Sequence, residues 1–176
     1  MIFITQTKED TIQFLKPSLQ DGAAMWELVK QSTLDENSAY KYLLMCKYFS
    51  ETCAVAKEEE TVIGFVTAFI PPEKQNVLFI WQIGVSASHR GMGIASQLLH
   101  EVSRRHGKQI EYVEATITPS NKPSQALFQR LAKTYETTCE VSECFQKDLF
   151  PQDQHEEEQL YRIGPFKNTH CVEGEV

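Results

Sequence analysis

The sequence predicts an α/β domain with a mixed central β-sheet of about six or seven strands and helices on both faces. The chain of 176 residues is long enough for one domain with a substantial core. Apolar, β-branched runs alternate along it with segments of helical periodicity. One such run, residues 77–85, leads through a glycine-containing turn into an amphipathic helix. We expect residues 1–165 to form the domain and residues 166–176 to form a C-terminal tail.

The N-terminal part predicts a short strand, two helices and a β-hairpin. Ser18 and Asp21 have the spacing of a capping box, which predicts the start of the first helix. The second helix is rich in tyrosine, and the acidic turn 57–60 joins the two hairpin strands. In order, the predicted elements are residues 12–16, 18–31, 39–49, 53–56 and 61–70.

The second part predicts strands that alternate with two helices. Gly107 is a plausible C-cap of the first of these helices. Asn121 or Ser120 can cap the second, and Pro123 suits its first turn. Residues 145–158 are polar and carry no clear signal for an element. In order, the predicted elements are residues 77–85, 93–106, 112–118, 125–132, 136–141 and 160–163.

Composition restricts the class of partner. The formal net charge of -7 argues against a nucleic-acid partner, which would need clustered Lys and Arg. No apolar stretch approaches the length of a membrane span, and the N-terminus does not resemble a signal peptide. The five cysteines include no C-x-x-C pair or metal-ligand spacing. We therefore expect free thiols, a cytoplasmic location and no metal site.

The turn after residues 77–85 predicts an anion site. It carries Arg90, Gly91 and Gly93, and it exposes the first N–H groups of a helix. Free N–H donors and the positive end of a helix dipole favour phosphate. The glycines would remove side chains that obstruct a ligand.

The spacing of this turn separates it from other phosphate loops. It lacks the final glycine of the dinucleotide motif and the Gly-Lys-Ser/Thr of a P-loop. Residues 90–95, Arg-Gly-Met-Gly-Ile-Ala, fit the pattern Q/R-x-x-G-x-G/A. That pattern resembles the acetyl-CoA diphosphate loop of the GNAT superfamily of N-acetyltransferases, and the order of elements over residues 12–164 matches the GNAT fold. The alternative is a glycine turn that merely joins strand to helix.

The resemblance implies a binding path for acetyl-CoA. The backbone N–H groups of Met92, Gly93, Ile94 and Ala95 would face the diphosphate. The pantetheine arm would pair with the backbone around residues 83–85.

Within that path, Ile83 and Val85 would pair with the arm where the strand splays from its neighbour, and Gly84 would permit the approach. The N–H of Ile83 would stabilise negative charge on the acetyl oxygen.

A second cofactor signature follows the strand at residues 112–118. Its residues are Asn121, Ser124 and Phe128, and Asn121 matches the asparagine that contacts the arm in many relatives. Where many relatives have a tyrosine that protonates the leaving thiolate, this chain has Phe128, which cannot donate a proton. Ser124, a water or the ammonium product are alternatives for that proton, and we expect Phe128 to pack against the arm.

The base that deprotonates the acceptor amine is not on the central strand, because Gln82 stands where many relatives have a glutamate. Asp35, Glu36, His155 and Glu158 remain as candidates. The alternatives without a catalytic role are a solvated run of charges at residues 156–158 and an exposed loop histidine at His155.

Longer blocks of the chain are similar to the family of L-2,4-diaminobutyrate acetyltransferases, which make the acetylated precursor of ectoine. This similarity implies transfer to the side-chain γ-amine and a homodimer. It extends from about Ile12 to Pro165. The blocks that carry it are residues 12–17, 34–44, 79–85, 114–121 and 126–128.

A small diamino acid needs acidic groups and an aromatic wall around it. We expect Asp35 and Glu158 to hold or deprotonate amines, and His155 to orient the carboxylate or relay a proton. Tyr40 and Trp81 would shape the pocket, with the indole offering an apolar wall or a cation–π face. Asn37 completes the predicted substrate site.

Three other functions stay open from the sequence alone. The protein could acetylate a protein or peptide N-terminus, which would need an open groove. It could be a non-catalytic acyl-CoA sensor, because Gln82 and Phe128 replace two usual proton-transfer groups. A purely structural α/β module would require the loop at Gly91 to be accidental.

Overall fold

A seven-stranded mixed β-sheet runs through the residues that the computed structural model describes, which are 12–32, 34–151 and 155–166. Residues 1–11 and 167–176, which include most of the predicted tail, lie outside the described residues. In chain order the strands and α-helices are β1 Gln13–Leu15, α1 Asp21–Lys30, α2 Ala39–Tyr48, β2 Ala54–Glu58, β3 Thr61–Phe69, β4 Val77–Val85, α3 Ile94–His106, β5 Tyr112–Ile117, α4 Lys122–Thr134, β6 Thr138–Phe145 and β7 Glu158–Gly164.

The strand order across the sheet is β1-β2-β3-β4-β5-β7-β6. Strands β1 to β4 are antiparallel neighbours, and β4 pairs with β5 in parallel. Strand β7 returns between β5 and β6 and is antiparallel to both. The predicted fold class and order of elements are confirmed. The last two strands are longer than predicted: β6 continues through residues 142–145, and β7 begins two residues earlier, at Glu158.

Helices cover both faces of the sheet. Helix α3 packs on β2, β3 and β4, and α4 packs on β6 and β7, over the larger core. Helix α1 packs against α2 and on β3 over a smaller core on the opposite face, which contains Met25, Tyr42 and Phe65. No helix in the described part of the chain is long and apolar enough to cross a membrane.

Local hydrogen bonds mark the start of two of these helices. The N–H and hydroxyl of Ser18 both donate to Asp21 Oδ2, at 2.7 and 2.8 Å, and Asp21 N–H donates to Ser18 O at 3.1 Å. The predicted capping box is only half formed, because the Ser18 side chain donates to the carboxylate and accepts no backbone N–H; α1 begins at Asp21, after Gln20, without a side-chain cap. Asn121 Oδ1 accepts from Ser124 N–H at 3.2 Å and caps α4, with Pro123 in the first turn.

The sheet opens between its two central strands. β4 and β5 pair only from Val77 opposite Tyr112 to Phe79 opposite Glu114. Beyond that point β4 continues to Val85 and β5 to Ile117 without pairing to each other. The expected splay is confirmed, and it leaves backbone groups of both strands directed into a cleft.

A β-bulge lies in β4 at the mouth of this cleft. Thr67 pairs with Gln82 and Ala68 with Ile80, so Trp81 is the extra residue. The bulge directs both Trp81 and Gln82 toward α2, where both contact Lys41. We expected residues 77–85 to be buried on both faces, but Trp81 is 49% exposed. The expectation was wrong at this position, because the bulge leaves the indole half-exposed.

Candidate active site

The loop before α3 has the geometry expected of an anion site. Gly91 and Gly93 have φ of 81° and 80°, in the left-handed region that favours glycine. A β-carbon on either residue would meet no atom within 4 Å, so the space around them is open. The first bond within α3 joins Gln97 N–H to Gly93 O at 3.1 Å, so the preceding N–H groups have no partner in the helix.

A polar brace that the sequence did not reveal holds this loop. Ser86 N–H donates to Ile63 O at 2.8 Å, and Ser86 Oγ lies 2.8 Å from His89 Nδ1. His89 Nε2 lies 3.5 Å from Glu58 Oε2 on the β2–β3 hairpin. The loop is therefore attached to the hairpin just before exposed Arg90.

A groove of about 200 Å³ lies between α3 and α4 and begins one turn after the loop. It was not predicted. Its lining is mostly apolar and includes one arginine. The lining residues are Ser96, Gln97, His100, Leu127, Arg130, Leu131, Thr134 and Tyr135.

Two predicted cofactor residues have structural roles. A β-carbon on Gly84 would lie 2.9 Å from Phe65 Cε1 and 3.1 Å from Leu34 Cδ1. Packing on the α1 face therefore favours glycine here, and its role in admitting the arm stays a prediction. Phe128 is 2% exposed within the larger core, so almost no ring surface remains for the predicted contact with the arm.

The remaining cofactor predictions fall on the cleft and its rim. Ile83 and Val85 lie on the stretch of β4 that does not pair with β5, and both are partly buried. Asn121 and Ser124 lie at the start of α4, immediately after β5. Their contacts with a cofactor stay predictions.

His155 lies among predicted acidic residues. Its Nδ1 donates to Glu156 O at 2.7 Å, and its Nε2 lies 3.5 Å from Asp35 Oδ2 and 3.7 Å from Glu158 Oε1. Its ring stacks on Phe150 with a centroid distance of 4.2 Å. The hydrogen bond to Glu156 and the nearby carboxylates raise the pKa of His155 above its ordinary value.

Glu158 is the most enclosed of the predicted carboxylates. Its side chain is 15% exposed, compared with 84% for Asp35. In the described part of the chain its Oε2 is buried without a hydrogen-bond partner. Burial raises the pKa of Glu158, although the charge of His155 opposes the shift. A carboxylate with a raised pKa is a better proton acceptor at neutral pH.

Residues 156–158 are not one uniform solvated run. The N–H and hydroxyl of Ser120 donate to the Glu156 carboxylate, the N–H at 3.2 Å. This contact attaches the segment to the β5–α4 turn. Glu158 meanwhile begins β7 and faces His155. Sequence periodicity could not distinguish the two glutamates, because the anchoring serine is distant in sequence.

Residues of the α1–α2 loop enclose the site from the other side. Asn37 Nδ2 donates to Asp35 O at 3.2 Å, and Trp26 Nε1 donates to Asn37 O at 3.1 Å. Asn37 therefore orders the loop that carries Asp35. Tyr40 lies in the first turn of α2 and is exposed, so a role in shaping the pocket stays a prediction.

Gln82 joins this loop to α2, a role that the sequence reasoning missed. Its Nε2 donates to Asp35 O at 2.9 Å, while its Oε1 accepts from Lys41 Nζ at 2.9 Å and from Tyr42 Oη at 2.7 Å. Gln82 cannot act as a base, as expected, but it fixes three elements around the cleft.

Lys41 occupies a face of the Trp81 ring. The ammonium lies 4.1 Å from the ring centroid, within cation–π range. We expected the indole to offer either an apolar wall or a cation–π face for a substrate ammonium, and a cation of the protein already takes one face. The ring edge also packs against Phe69 at 6.4 Å between centroids. Lys41 had no signal in the sequence, since buried lysines look like surface ones.

Comparison with known proteins shows which family this chain resembles in sequence. Residues 22–132 match the family described as "Acetyltransferase (GNAT) family". The chain is 64% identical over 162 residues to the L-2,4-diaminobutyric acid acetyltransferase of Halalkalibacterium halodurans, covering 92% of this chain and 86% of that protein. It is 60% identical to the protein of the same name from Marinococcus halophilus, covering 92% and 95% of the two chains.

A solved structure agrees with these relatives. The diaminobutyrate acetyltransferase of Paenibacillus lautus, in complex with its substrate L-2,4-diaminobutyric acid and coenzyme A, superimposes with a TM-score of 0.85. It is 35% identical, and the match covers 90% of this chain and 98% of that one.

Proposed function

Since the chain belongs to the GNAT family of acetyltransferases, we propose that it transfers the acetyl group of acetyl-CoA to the γ-amine of L-2,4-diaminobutyrate. The observation that carries the proposal is the cluster of His155, Glu158 and Asp35 at the mouth of the β4–β5 cleft. The high identity to diaminobutyric acid acetyltransferases supports the substrate. The product would be Nγ-acetyl-diaminobutyrate. The family resemblance implies that this product is a precursor of ectoine.

The described residues fit acetyl-CoA. The uncapped start of α3 and the open space over Gly91 and Gly93 suit a diphosphate. The edge of β4 that faces β5 is unpaired beyond Phe79, and its backbone groups suit the peptide-like pantetheine arm. The groove between α3 and α4, with its apolar lining and Arg130, suits the adenosine end. When bound, acetyl-CoA supplies a thioester whose carbonyl carbon accepts the amine.

We assign the base to Glu158. An aliphatic ammonium has a pKa near ~10, so it must lose a proton before it attacks. Glu158 is enclosed, its pKa is raised, and one of its oxygens is unsatisfied. His155 lies between Glu158 and solvent-exposed Asp35 and can pass the proton outward through Nε2.

We propose that the leaving thiolate receives its proton from the attacking nitrogen and not from Phe128. Phe128 replaces the tyrosine of many relatives and is buried in the core. The attacking nitrogen still carries an extra proton when the C–S bond breaks, and passing that proton to the thiolate leaves the neutral amide product. This route needs no side-chain acid.

The test is a thiol-release assay on purified protein with acetyl-CoA and a panel of amines. We expect coenzyme A release with L-2,4-diaminobutyrate and little release with peptides that have a free N-terminus. Faster release with peptides would replace the proposal by an N-terminal acetyltransferase. Cofactor binding without release on any amine would replace it by a sensor.

We propose that the protein is a homodimer, as the family resemblance implies. Strand β6 forms one of the two edges of the sheet. Sheet edges with exposed apolar residues favour pairing with another chain. Val141 and Phe145 on β6 and Leu149 after it are exposed. Sedimentation should give a dimer for the wild type and a monomer for Val141→Lys/Phe145→Lys, with Tyr48→Lys on exposed α2 surface as the control. A monomeric wild type would contradict the proposal.

We place the reaction in the cytoplasm, where acetyl-CoA is available. The four cysteines in the described residues are free thiols, which suits a reducing compartment.

A further inference from the structure

We infer that Lys41 binds the carboxylate of the amino-acid substrate and thereby selects diaminobutyrate over plain diamines. This inference rests on the proposed function, and it assigns a residue to the one substrate group that the acidic cluster cannot hold. Diaminobutyrate carries two amines and one carboxylate. Asp35 and Glu158 suit the amines, so the carboxylate needs a cation or strong donors elsewhere.

Lys41 is a buried ammonium at the rim of the cleft. The residue is 7% exposed, and its Nζ contacts Gln82 Oε1 at 2.9 Å and the Trp81 ring at 4.1 Å. Gln82 in turn bonds to the loop of Asp35. Lys41 is therefore connected to the Asp35 loop through one side chain, and its ammonium lies over the half-exposed indole.

The charge of Lys41 is not balanced within the protein. Among the residues that the structure describes, no carboxylate lies within 4.0 Å of its Nζ. Other buried charges of this chain are paired: Asp21 lies 2.7 Å from Lys57, and Glu114 contacts Arg162. A buried charge without a counter-ion is costly, which points to an anion that binds later.

The position of Lys41 in α2 adds to this imbalance. It lies in the first turn, where the helix dipole disfavours a cation and favours an anion. Ser38 at the N-cap makes no side-chain cap, and the first turn contains no acidic residue. A substrate carboxylate at this point would meet both the ammonium and the positive end of the α2 dipole.

His155 is a weaker candidate for the same role. Its Nε2 already faces Asp35 and Glu158, so any positive charge on its ring is balanced there. Its Nδ1 donates to Glu156 O at 2.7 Å. Burial lowers the pKa of Lys41 to about 8, which still leaves it mostly protonated at neutral pH. Lys41 therefore replaces His155 in our assignment of the carboxylate.

The test compares diaminobutyrate with 1,3-diaminopropane, which is the same molecule without its carboxylate. In Lys41→Met, kcat/KM for diaminobutyrate should fall about 10- to 100-fold, mainly through KM, which is typical for losing one bond to a charged group. With 1,3-diaminopropane kcat/KM should stay within about 3-fold of the wild type or rise, because a repelling cation is gone. Lys47→Met is the matched control, since Lys47 lies over Tyr48 at 5.1 Å on the exposed side of the same helix.

A purely structural Lys41 would give a different result. If Lys41 only positioned Gln82, Lys41→Met would lose both substrates in parallel, and the inference would be overturned. Thermal melting and coenzyme A affinity check the fold, and Lys41→Gln is a second variant with the same expected loss of discrimination. A wild type that acetylates neither amine would refute the proposed function instead, so the two failures can be told apart.

Discussion

Replacing Gly93 with glutamate is the sharpest test of the phosphate site. The residue has φ of 80°, so any side chain costs about 1–2 kcal/mol in backbone strain. No atom lies within 4 Å of the added β-carbon, so no clash adds to that cost. The carboxylate would also lie at the positive end of α3, which offsets part of the strain. We therefore expect Gly93→Glu to fold with a modestly lowered melting temperature.

The effect on cofactor binding should be much larger. A carboxylate about 5 Å from one phosphate charge, at an effective dielectric constant of about 20, costs about 3 kcal/mol. That corresponds to roughly 100-fold weaker binding of coenzyme A. Added salt should reduce the difference, because the loop is exposed.

Isothermal titration of coenzyme A into three variants separates charge from strain. Gly93→Ala carries the strain without the charge and should lose less than about 10-fold. Gly107→Glu carries both, at φ of 49° in open space at the other end of the same helix, and should bind like the wild type. Equal affinities for Gly93→Glu and the wild type, or an equal loss in Gly107→Glu, would refute the loop assignment.

Three other substitutions test the chemistry and the fold. Glu158→Gln should lower kcat about 100- to 1000-fold with unchanged coenzyme A affinity. Because the base must be ionised, wild-type activity should fall as the pH drops through the pKa of Glu158, which burial raises. This acidic limb of the pH–activity profile should vanish in the variant. Trp81→Ala should raise KM for diaminobutyrate more than it weakens cofactor binding, since the indole lies at the cleft mouth under Lys41. Asp21→Asn should cost about 2–4 kcal/mol of unfolding free energy, because it leaves Lys57, 2.7 Å away and mostly buried, without its counter-ion.

The stability prediction has a matched control and a pH signature. Burial alone would raise the pKa of Asp21, but its bonds to Lys57 and Ser18 outweigh this and lower it. Its stabilisation is therefore present above the unfolded-state pKa and is lost as pH falls through the lower folded-state pKa. Glu51→Gln breaks an equally short but exposed pair with Lys16 and should leave the melting temperature unchanged. Similar losses of stability in Asp21→Asn and Glu51→Gln would contradict the argument about the buried pair. An unchanged pH profile in Glu158→Gln would contradict the assignment of the base. An unaltered KM in Trp81→Ala would contradict the role of the indole in the substrate site.

Local signals in the sequence were sufficient for most of the fold. The Ser18–Asp21 contact, the Asn121 cap and the turn at residues 90–93 each depend on neighbours within a few positions. Their physical causes are therefore visible in a short window. The insertion of β7 between β5 and β6 has no such local cause, and the sequence reasoning did not predict it.

The site was harder to predict, because its groups meet through long-range contacts. The bulge at Trp81 changes which residues of β4 face α2, and strand periodicity does not show it. Gln82 was dismissed as a missing base, yet it connects Lys41 to the Asp35 loop. Phe128 was assigned to the cofactor because of its motif position, although its burial in the core explains it.

The regiochemistry of the product tests the central claim most directly. The purified protein would be incubated with diaminobutyrate and acetyl-CoA labelled with ¹³C at the carbonyl, and the product examined by long-range carbon–proton NMR correlation. The account predicts a correlation from the labelled carbonyl, across the new amide, to the γ-methylene protons. A correlation to the α proton, or no labelled amide at all, would contradict it.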